Sequence, residues 1–363
     1  MKVNRETKQP LYMQVYQYLK QALQSQKYKS GDFLPSEREL SLSFTVDRLT
    51  VRRALEMLAG EGLVEKKAGL GTRVAEKPPV TLGDTVNPKN LIFFLPQSQN
   101  AVERISGTFY SGLFFTIENE IKKRGYRLSY TTLSEKEEIP PILKSGEIAG
   151  VFFVSKISAK FLRDAHRLTI PAVVVNSEND YFSSILTDRV KGTYEAVQHL
   201  INLDHRCFCF ISGIPDYITS QASFEGFKRA LGDGGLDLHN QVIKEGNWQY
   251  DGGYKAMQEV LAEHNPLPTA VVACNDETAF GAMEAIKSLG RSIPEDFSVV
   301  GFDDIDQAGY YRPKLTTVRV DIELIAKAAC QQLFYIIENK ENTPFHIVIP
   351  TKVIVRESTA RAK

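Results

Sequence analysis

Two grammars of apolar and polar positions divide this chain. Up to about residue 75 the apolar residues recur at helical spacing. Beyond residue 90 they come in short unbroken runs. In "PLYMQVYQYLKQALQSQ" the residues Leu11, Val15, Tyr18/Leu19 and Ala22/Leu23 share one face, which predicts a helix. "KSGDFLP" reads as a break, through Gly31 and Pro35. "SEREL" opens a second, short helix, because Ser36 and Glu39 have the spacing of a capping box. Asp47 is placed to cap a third helix, with Val51, Leu55 and Leu58 as its apolar stripe and Gly60 and Gly62 at its end. "LVEKK" and "TRVAE" then alternate around the turn "AGLG", as the two strands of a hairpin do.

From Glu76 to Asn90 the stretch "EKPPVTLGDTVNPKN" has three prolines and no apolar period, and reads as a linker. The runs that follow include "LIFFL", "GVFFV", "AVVV", "CFCFI", "AVVAC" and "FSVVGF", separated by amphipathic stretches. Such runs belong to parallel strands covered on both faces. About 270 residues of this pattern exceed one small α/β unit, which predicts two lobes. The expected organisation is a head at 1–76, a linker at 77–90 and a two-lobed α/β body at 91–363. The expected fold class is therefore α/β: a small winged helix-turn-helix domain plus a two-lobed body with parallel sheets.

Charge sharpens the division. The whole chain is neutral, but residues 1–77 hold 14 Lys+Arg against 9 Asp+Glu, and the rest holds 30 against 35. A basic head on an acidic body points to a polyanion as partner of the head. No stretch approaches the ~18 consecutive apolar residues of a membrane span, and "MKVNRETKQP" has no apolar signal core. The expectation is a cytoplasmic protein. The four cysteines, Cys207, Cys209, Cys274 and Cys330, form no C-x-x-C pair, and buried free thiols are expected, with no metal site.

Two helices joined by a tight turn and followed by a hairpin place the second helix of the pair in a DNA major groove. Arg48 and Arg52 are four residues apart and share a face near the start of that helix. Arginine is the usual bidentate partner of guanine. Arg38 and Thr50 are placed for base or phosphate contacts, and Gly69 and Gly71 in the wing permit close backbone approach to a phosphate. The alternative for any single arginine is a solvated surface charge. The stretch "GDFLPSERELSLSFTVDRLTVRRALEMLAGEGLVEKKAGLGTRV" resembles the GntR-type DNA-binding domain, over about residues 10–75. The resemblance implies DNA contacts at Arg38, Arg48, Thr50, Arg52 and the wing from Gly69 through Gly71 to Thr72. Asp47 stands where that family often has Ser or Thr.

In the body, Asn275 and Asp276 follow one apolar run, and Asp303 and Asp304 follow the next. Ligands of open α/β sheets bind at the carboxyl ends of strands. Carboxylates and amides there suit a ligand rich in hydroxyls, and Trp248, the single tryptophan, offers a face for a sugar ring. The bland readings are that Asn275 caps a helix and that Trp248 is core. "TAVVACNDETAFGAMEAIKSLGRSIPEDFSVVGFDDIDQAGYYRPKLTTV" resembles the LacI/GalR sensor, itself similar to periplasmic sugar-binding proteins, and the likeness runs over about residues 90–357. It implies ligand contacts at Trp248, Asn275 and Asp303, at Phe109 and Tyr110 on the first lobe, and at Asp188. It also exposes a departure. The family usually carries an arginine three residues before the glycine of its "GF" step, and here "SQASFEGF" has Ser223 there. Without that guanidinium a bidentate clamp is missing: either another side chain, with Gln221 as the candidate, replaces it, or the ligand is not a standard one.

A GntR-type head on a LacI/GalR-type body is similar to the architecture of bacterial arabinose repressors. That implies a homodimeric, sugar-responsive regulator bound to a palindromic operator in double-stranded DNA. A sensor for a non-sugar or phosphorylated metabolite, or an activator, is the alternative. An enzyme is the third reading. No G-x-S-x-G, H-E-x-x-H or G-x-x-x-x-G-K-[ST] occurs, the adjacent Asp303 and Asp304 are expected to diverge, and no cofactor is expected.

Overall fold

The computed structural model describes residues 10–24, 27–29, 31–60, 63–67, 71–74, 89–96, 108–133, 138–341 and 343–363. The chain divides into two compact units, Met1–Asn87 and Pro88–Lys363. The expected linker lies outside the described residues up to residue 88, as do Gly62 and Gly69.

In the first unit, helices α1 (Leu11–Gln24), α2 (Glu37–Phe44) and α3 (Arg48–Gly60) precede strands β1 (Val64–Lys67) and β2 (Gly71–Val74). The capping box at α2 is formed: the Glu39 amide donates to Ser36 Oγ at 3.3 Å, and the Ser36 amide donates to Glu39 Oε2 at 2.7 Å. Val15, Leu19, Leu40, Phe44, Val51, Leu55 and Leu58 make one small core. β1 and β2 pair antiparallel, with Val64 opposite Val74. "GDFL" is not a plain break. Phe33 bridges to Arg73, the Leu34 amide donates to Thr72 O at 2.8 Å, and the Val74 amide donates to Asp32 O at 2.8 Å. The segment before α2 thus becomes a third strand-like edge of the wing, a long-range pairing that no local period announces.

The second unit holds two six-stranded sheets. The first has β3 (Asn90–Pro96), β4 (Arg127–Leu133), β5 (Gly150–Val154), β6 (Ala172–Val175), β7 (Ser183–Thr187) and β13 (His346–Ile349), ordered β13-β7-β6-β5-β3-β4 and parallel throughout. The second has β8 (Phe208–Ser212), β9 (Val242–Glu245), β10 (Ala270–Ala273), β11 (Ser298–Asp303), β12 (Thr316–Val320) and β14 (Thr351–Ile354), ordered β14-β12-β11-β10-β8-β9. Only β14 runs antiparallel. Helices α4 (Thr108–Lys122), α5 (Pro141–Lys144), α6 (Ala159–His166) and α11 (Ile322–Asn339) cover the first sheet. Helices α7 (Arg189–Asn202), α8 (Ile218–Asp233), α9 (Tyr250–Glu263) and α10 (Asp276–Ser288) cover the second. Fully buried strands such as Gly150–Val154 explain the unbroken apolar runs.

The chain crosses between the lobes three times, from β7 into α7, from β12 into α11 and from β13 into β14. β7 leaves the first lobe at its carboxyl end and β12 leaves the second at its own. The carboxyl ends of both parallel sheets therefore face each other across one cleft. Asp188 sits at the first crossing. It caps α7 by accepting from the Lys191 amide at 3.0 Å, its own amide donates to Ile349 O, and its carbonyl accepts from Thr351 Oγ1.

Cys209, Cys274 and Cys330 are buried free thiols. Cys207 is exposed, because β8 begins one residue later. Asp204 takes a positive φ of 66°, a conformation that glycine adopts without strain. His205 is buried and bridges Thr269 Oγ1, Ser298 Oγ and Ala360 O, a structural role.

Candidate functional site

The head sorts its predicted residues by what already holds them. Asp47 accepts from the Thr50 amide at 2.7 Å and from Thr50 Oγ1 at 2.9 Å. It caps α3, and those bonds hold its carboxyl below the usual range. Arg52 forks onto Glu37, Nε at 3.2 Å and Nη2 at 2.9 Å, tying α3 to α2. Arg53 stacks on the Tyr12 ring, 4.2 Å from its centroid. Arg38 and Arg48 are exposed and have no side-chain hydrogen bond or ion pair among the described residues. Thr72 faces the core with Val74, while Gly71 is exposed at a φ of 112°. Leu49, 74% exposed between Arg48 and Thr50, was not anticipated. Its only sequence signal is an apolar residue off the Val51/Leu55/Leu58 stripe.

The cleft floor of the second lobe is built from strand ends. β11 ends at Asp303 and β10 runs into Asn275 through Cys274. Asn275 caps α10, accepting from the Thr278 amide at 3.0 Å, and its Nδ2 donates to Trp248 O at 3.1 Å. The capping reading and the site reading are therefore compatible. Trp248 follows β9, and its indole lies against Gly213, where a Cβ would come within 2.2 Å of the ring. Tyr217 meets it edge-on at 4.8 Å. Asn247, Trp248, Asp303 and Asp304 all take positive φ values, of 55°, 59°, 109° and 56°. Two consecutive pairs of such residues concentrate backbone strain at the strand ends, as functional sites do.

The adjacent aspartates diverge as expected. Asp304 pairs with Arg319 at 2.7 Å and with Arg356 at 2.5 Å. Asp303 turns instead toward Arg189, with Nη1 to Oδ1 at 3.6 Å. Burial pushes the Asp303 carboxyl up to about 6, although the guanidinium opposes the shift. Asp276 is fully buried behind it, accepts from Thr317 Oγ1 and the Ile305 amide, and is raised well above the usual range, chiefly by burial and then by Asp303.

Arg189 is the residue that sequence reasoning missed. It is buried, its Nε donates to Ser223 Oγ at 3.1 Å, its Nη2 donates to Cys274 O at 2.7 Å, and its guanidinium lies 3.9 Å from the Phe302 ring centroid. The signal was available: an arginine opening a helix at the crossing, directly after Asp188. Ser223, Asn275, Asp303 and Trp248 are thus brought together. Gln221 is not among them. It is exposed on another side of α8, with its amide donating to Pro215 O. Phe109 and Tyr110 lie in the first turn of α4, edge to face at 5.3 Å. From the same lobe, Lys156 Nζ reaches across to within 5.3 Å of the Tyr217 centroid. A separate groove lined by Asp188, Lys191, Tyr194, Arg229 and Asp233 excludes Trp248, Asn275 and Asp303, and is not this cleft.

Comparison with known proteins agrees with both halves. Residues 11–74 match the gntR family of bacterial regulatory proteins, and residues 197–359 match a periplasmic binding protein-like domain. The probable HTH-type transcriptional repressor ExuR of Bacillus subtilis is 32% identical over 263 residues, 70% of this chain and 78% of that protein. The HTH-type transcriptional repressor PurR of Pasteurella multocida is 28% identical, over 69% of this chain and 77% of its own length. A LacI family transcriptional regulator from Enterococcus faecium, solved with bound ribose, is 26% identical with a TM-score of 0.68, over 76% of this chain and all of its own. These relatives are transcriptional regulators. The chain belongs to the LacI/GalR-type transcriptional regulators and carries a GntR-type DNA-binding head.

Proposed function

We propose that this DNA-binding regulator is a repressor of carbohydrate-utilisation genes that binds its operator as a homodimer and releases it when a sugar occupies the cleft between the two lobes. One observation carries the reading. An indole face, an amide and a guanidinium–carboxylate pair converge from separate strand ends on the floor of one cleft. That set suits a ring with an apolar face and several hydroxyls. Asp303 and Asp304 point to different cations, so these two form no acid/base couple. On the head, the exposure of Arg38 and Arg48 supports contacts with bases or phosphates, and that of Leu49 a contact with a thymine methyl.

A second reading, an acidic or phosphorylated sugar, draws on Lys156. Its ammonium lies over Tyr217 and has no carboxylate partner among the described residues. Thermal shift separates the two, since a ligand that binds only the folded state raises the melting temperature. Neutral pentoses and hexoses are screened beside uronic acids and sugar phosphates. A specific rise with a neutral sugar supports the first reading, and a rise confined to the anionic set supports the second. No rise with any of them contradicts both.

A further inference from the structure

We propose that Arg189 grips the ligand, entering the cleft floor from the start of α7, and that Ser223 is its anchor and not itself a ligand contact. The inference rests on the reading that the cleft holds a hydroxyl-rich effector. It goes further by naming the clamp and the group clamped: a pair of adjacent hydroxyls.

The geometry of Arg189 is that of a group held open. A guanidinium has five N–H donors. One goes to Ser223 Oγ at 3.1 Å and one to Cys274 O at 2.7 Å. The Phe302 ring holds the plane from one side. Between Nη1 and Asp303 Oδ1 the gap is 3.6 Å. A closed charge-assisted contact measures about 2.7–2.9 Å. The side chains on either side of this gap are only 10% and 12% exposed. A buried ion pair left unclosed keeps most of its desolvation cost and forgoes part of its attraction. Here Ser223, Cys274 and Phe302 hold the guanidinium from three sides. A pair of adjacent hydroxyls bridges the two groups as they stand, one oxygen accepting from Nη1 and the other donating to Asp303.

A second observation points the same way. Ser220, one turn before Ser223 on α8, is 3% exposed, and its Oγ has no hydrogen-bond partner among the described residues. It lies beside the Trp248 indole, because a Cβ on Gly213 would meet both groups. An orphaned buried hydroxyl in a folded protein calls for a partner. This one sits at the edge of the cluster.

The arrangement couples positions 189 and 223. Ser223 is 1% exposed and in contact with Arg189, so an arginine added at 223 meets a like charge with no space beside it. One guanidinium fits, from either side. The test uses the full-length chain and four variants, titrated calorimetrically with the D-ribose, L-arabinose, D-galactose or D-galacturonate that binds the parent protein. Arg189→Ser is expected to weaken binding on the order of 10- to 100-fold, as for lost charged hydrogen bonds. Arg189→Lys keeps the charge that offsets Asp303, so the lobe stays folded, yet it loses the fork and is expected to bind almost as poorly. Ser223→Arg alone is expected to lose binding. The exchange Arg189→Ser/Ser223→Arg is expected to recover most of it. Parent-like binding by Arg189→Lys and Arg189→Ser overturns the clamp and leaves the sugar reading standing. A parent protein that binds none of the four sugars overturns both.

Discussion

At the scale of single residues, the cleft depends on groups that act only by leaving room for others. Gly213 is one. The Trp248 indole occupies the space a Cβ would need there, so Gly213→Ala must displace the ring. Ligand affinity is expected to fall by about tenfold, the equivalent of ~1.4 kcal/mol, with the fold intact by circular dichroism. Unchanged affinity would show that Trp248 is not the platform. Asp303 gives a second test, through pH. Its folded carboxyl titrates at about 6, above its unfolded value of 3.8, chiefly because it is buried. The folded chain therefore holds a proton that the unfolded chain has lost, and this group costs stability as pH rises through that window. The unfolding free energy of the parent minus that of Asp303→Asn is expected to fall between pH 4 and 6 and to level off above. A difference that is flat, or rises, contradicts the assignment. Residues of this kind were partly legible in the sequence. Asn275, Asp303 and Trp248 stand beside apolar runs, where strand ends are expected. Arg189 was not read, because its role follows from Ser223 and Cys274, which lie 34 and 85 residues away.

At the scale of elements, local signals were read well and long-range pairings were not. The Ser36/Glu39 box, the Asp47 cap and the buried strands each follow from a few consecutive residues. Edge strands such as Val242–Glu245 and His346–Ile349 alternate or lie half exposed, so they have no unbroken apolar run to mark them. The pairing of Phe33 with Arg73 spans forty residues and leaves no periodic trace. In α3 the arginines divide by partner, and that division is testable. Arg48→Ala should weaken operator binding at least tenfold if it reads a base, and the head should keep its melting temperature. Arg52→Ala and Glu37→Ala remove the same α2–α3 tie, so they are expected to perturb DNA binding alike. If Arg52→Ala weakens binding while Glu37→Ala does not, Arg52 contacts DNA directly and its pairing with Glu37 is a resting state.

At the scale of the whole molecule, a basic reader of DNA and an acidic two-lobed sensor are joined in one chain. A ligand shifts the reader only by the difference in its affinity for the sensor's two states. The chain crosses between the lobes at Asp188, Asp321 and Pro350, and Thr351 Oγ1 donates to the Asp188 carbonyl there. One recognition helix per chain buries little surface, so two symmetric copies on a palindrome are expected. Operator affinity by fluorescence anisotropy at fixed salt measures the coupling of sensor to reader directly. The measurement uses a duplex selected from a random pool, with and without a saturating sugar that is independently shown to bind. A loss of affinity of about tenfold or more is expected on adding the sugar. Equal affinity in both conditions, with the sugar demonstrably bound, contradicts the coupling.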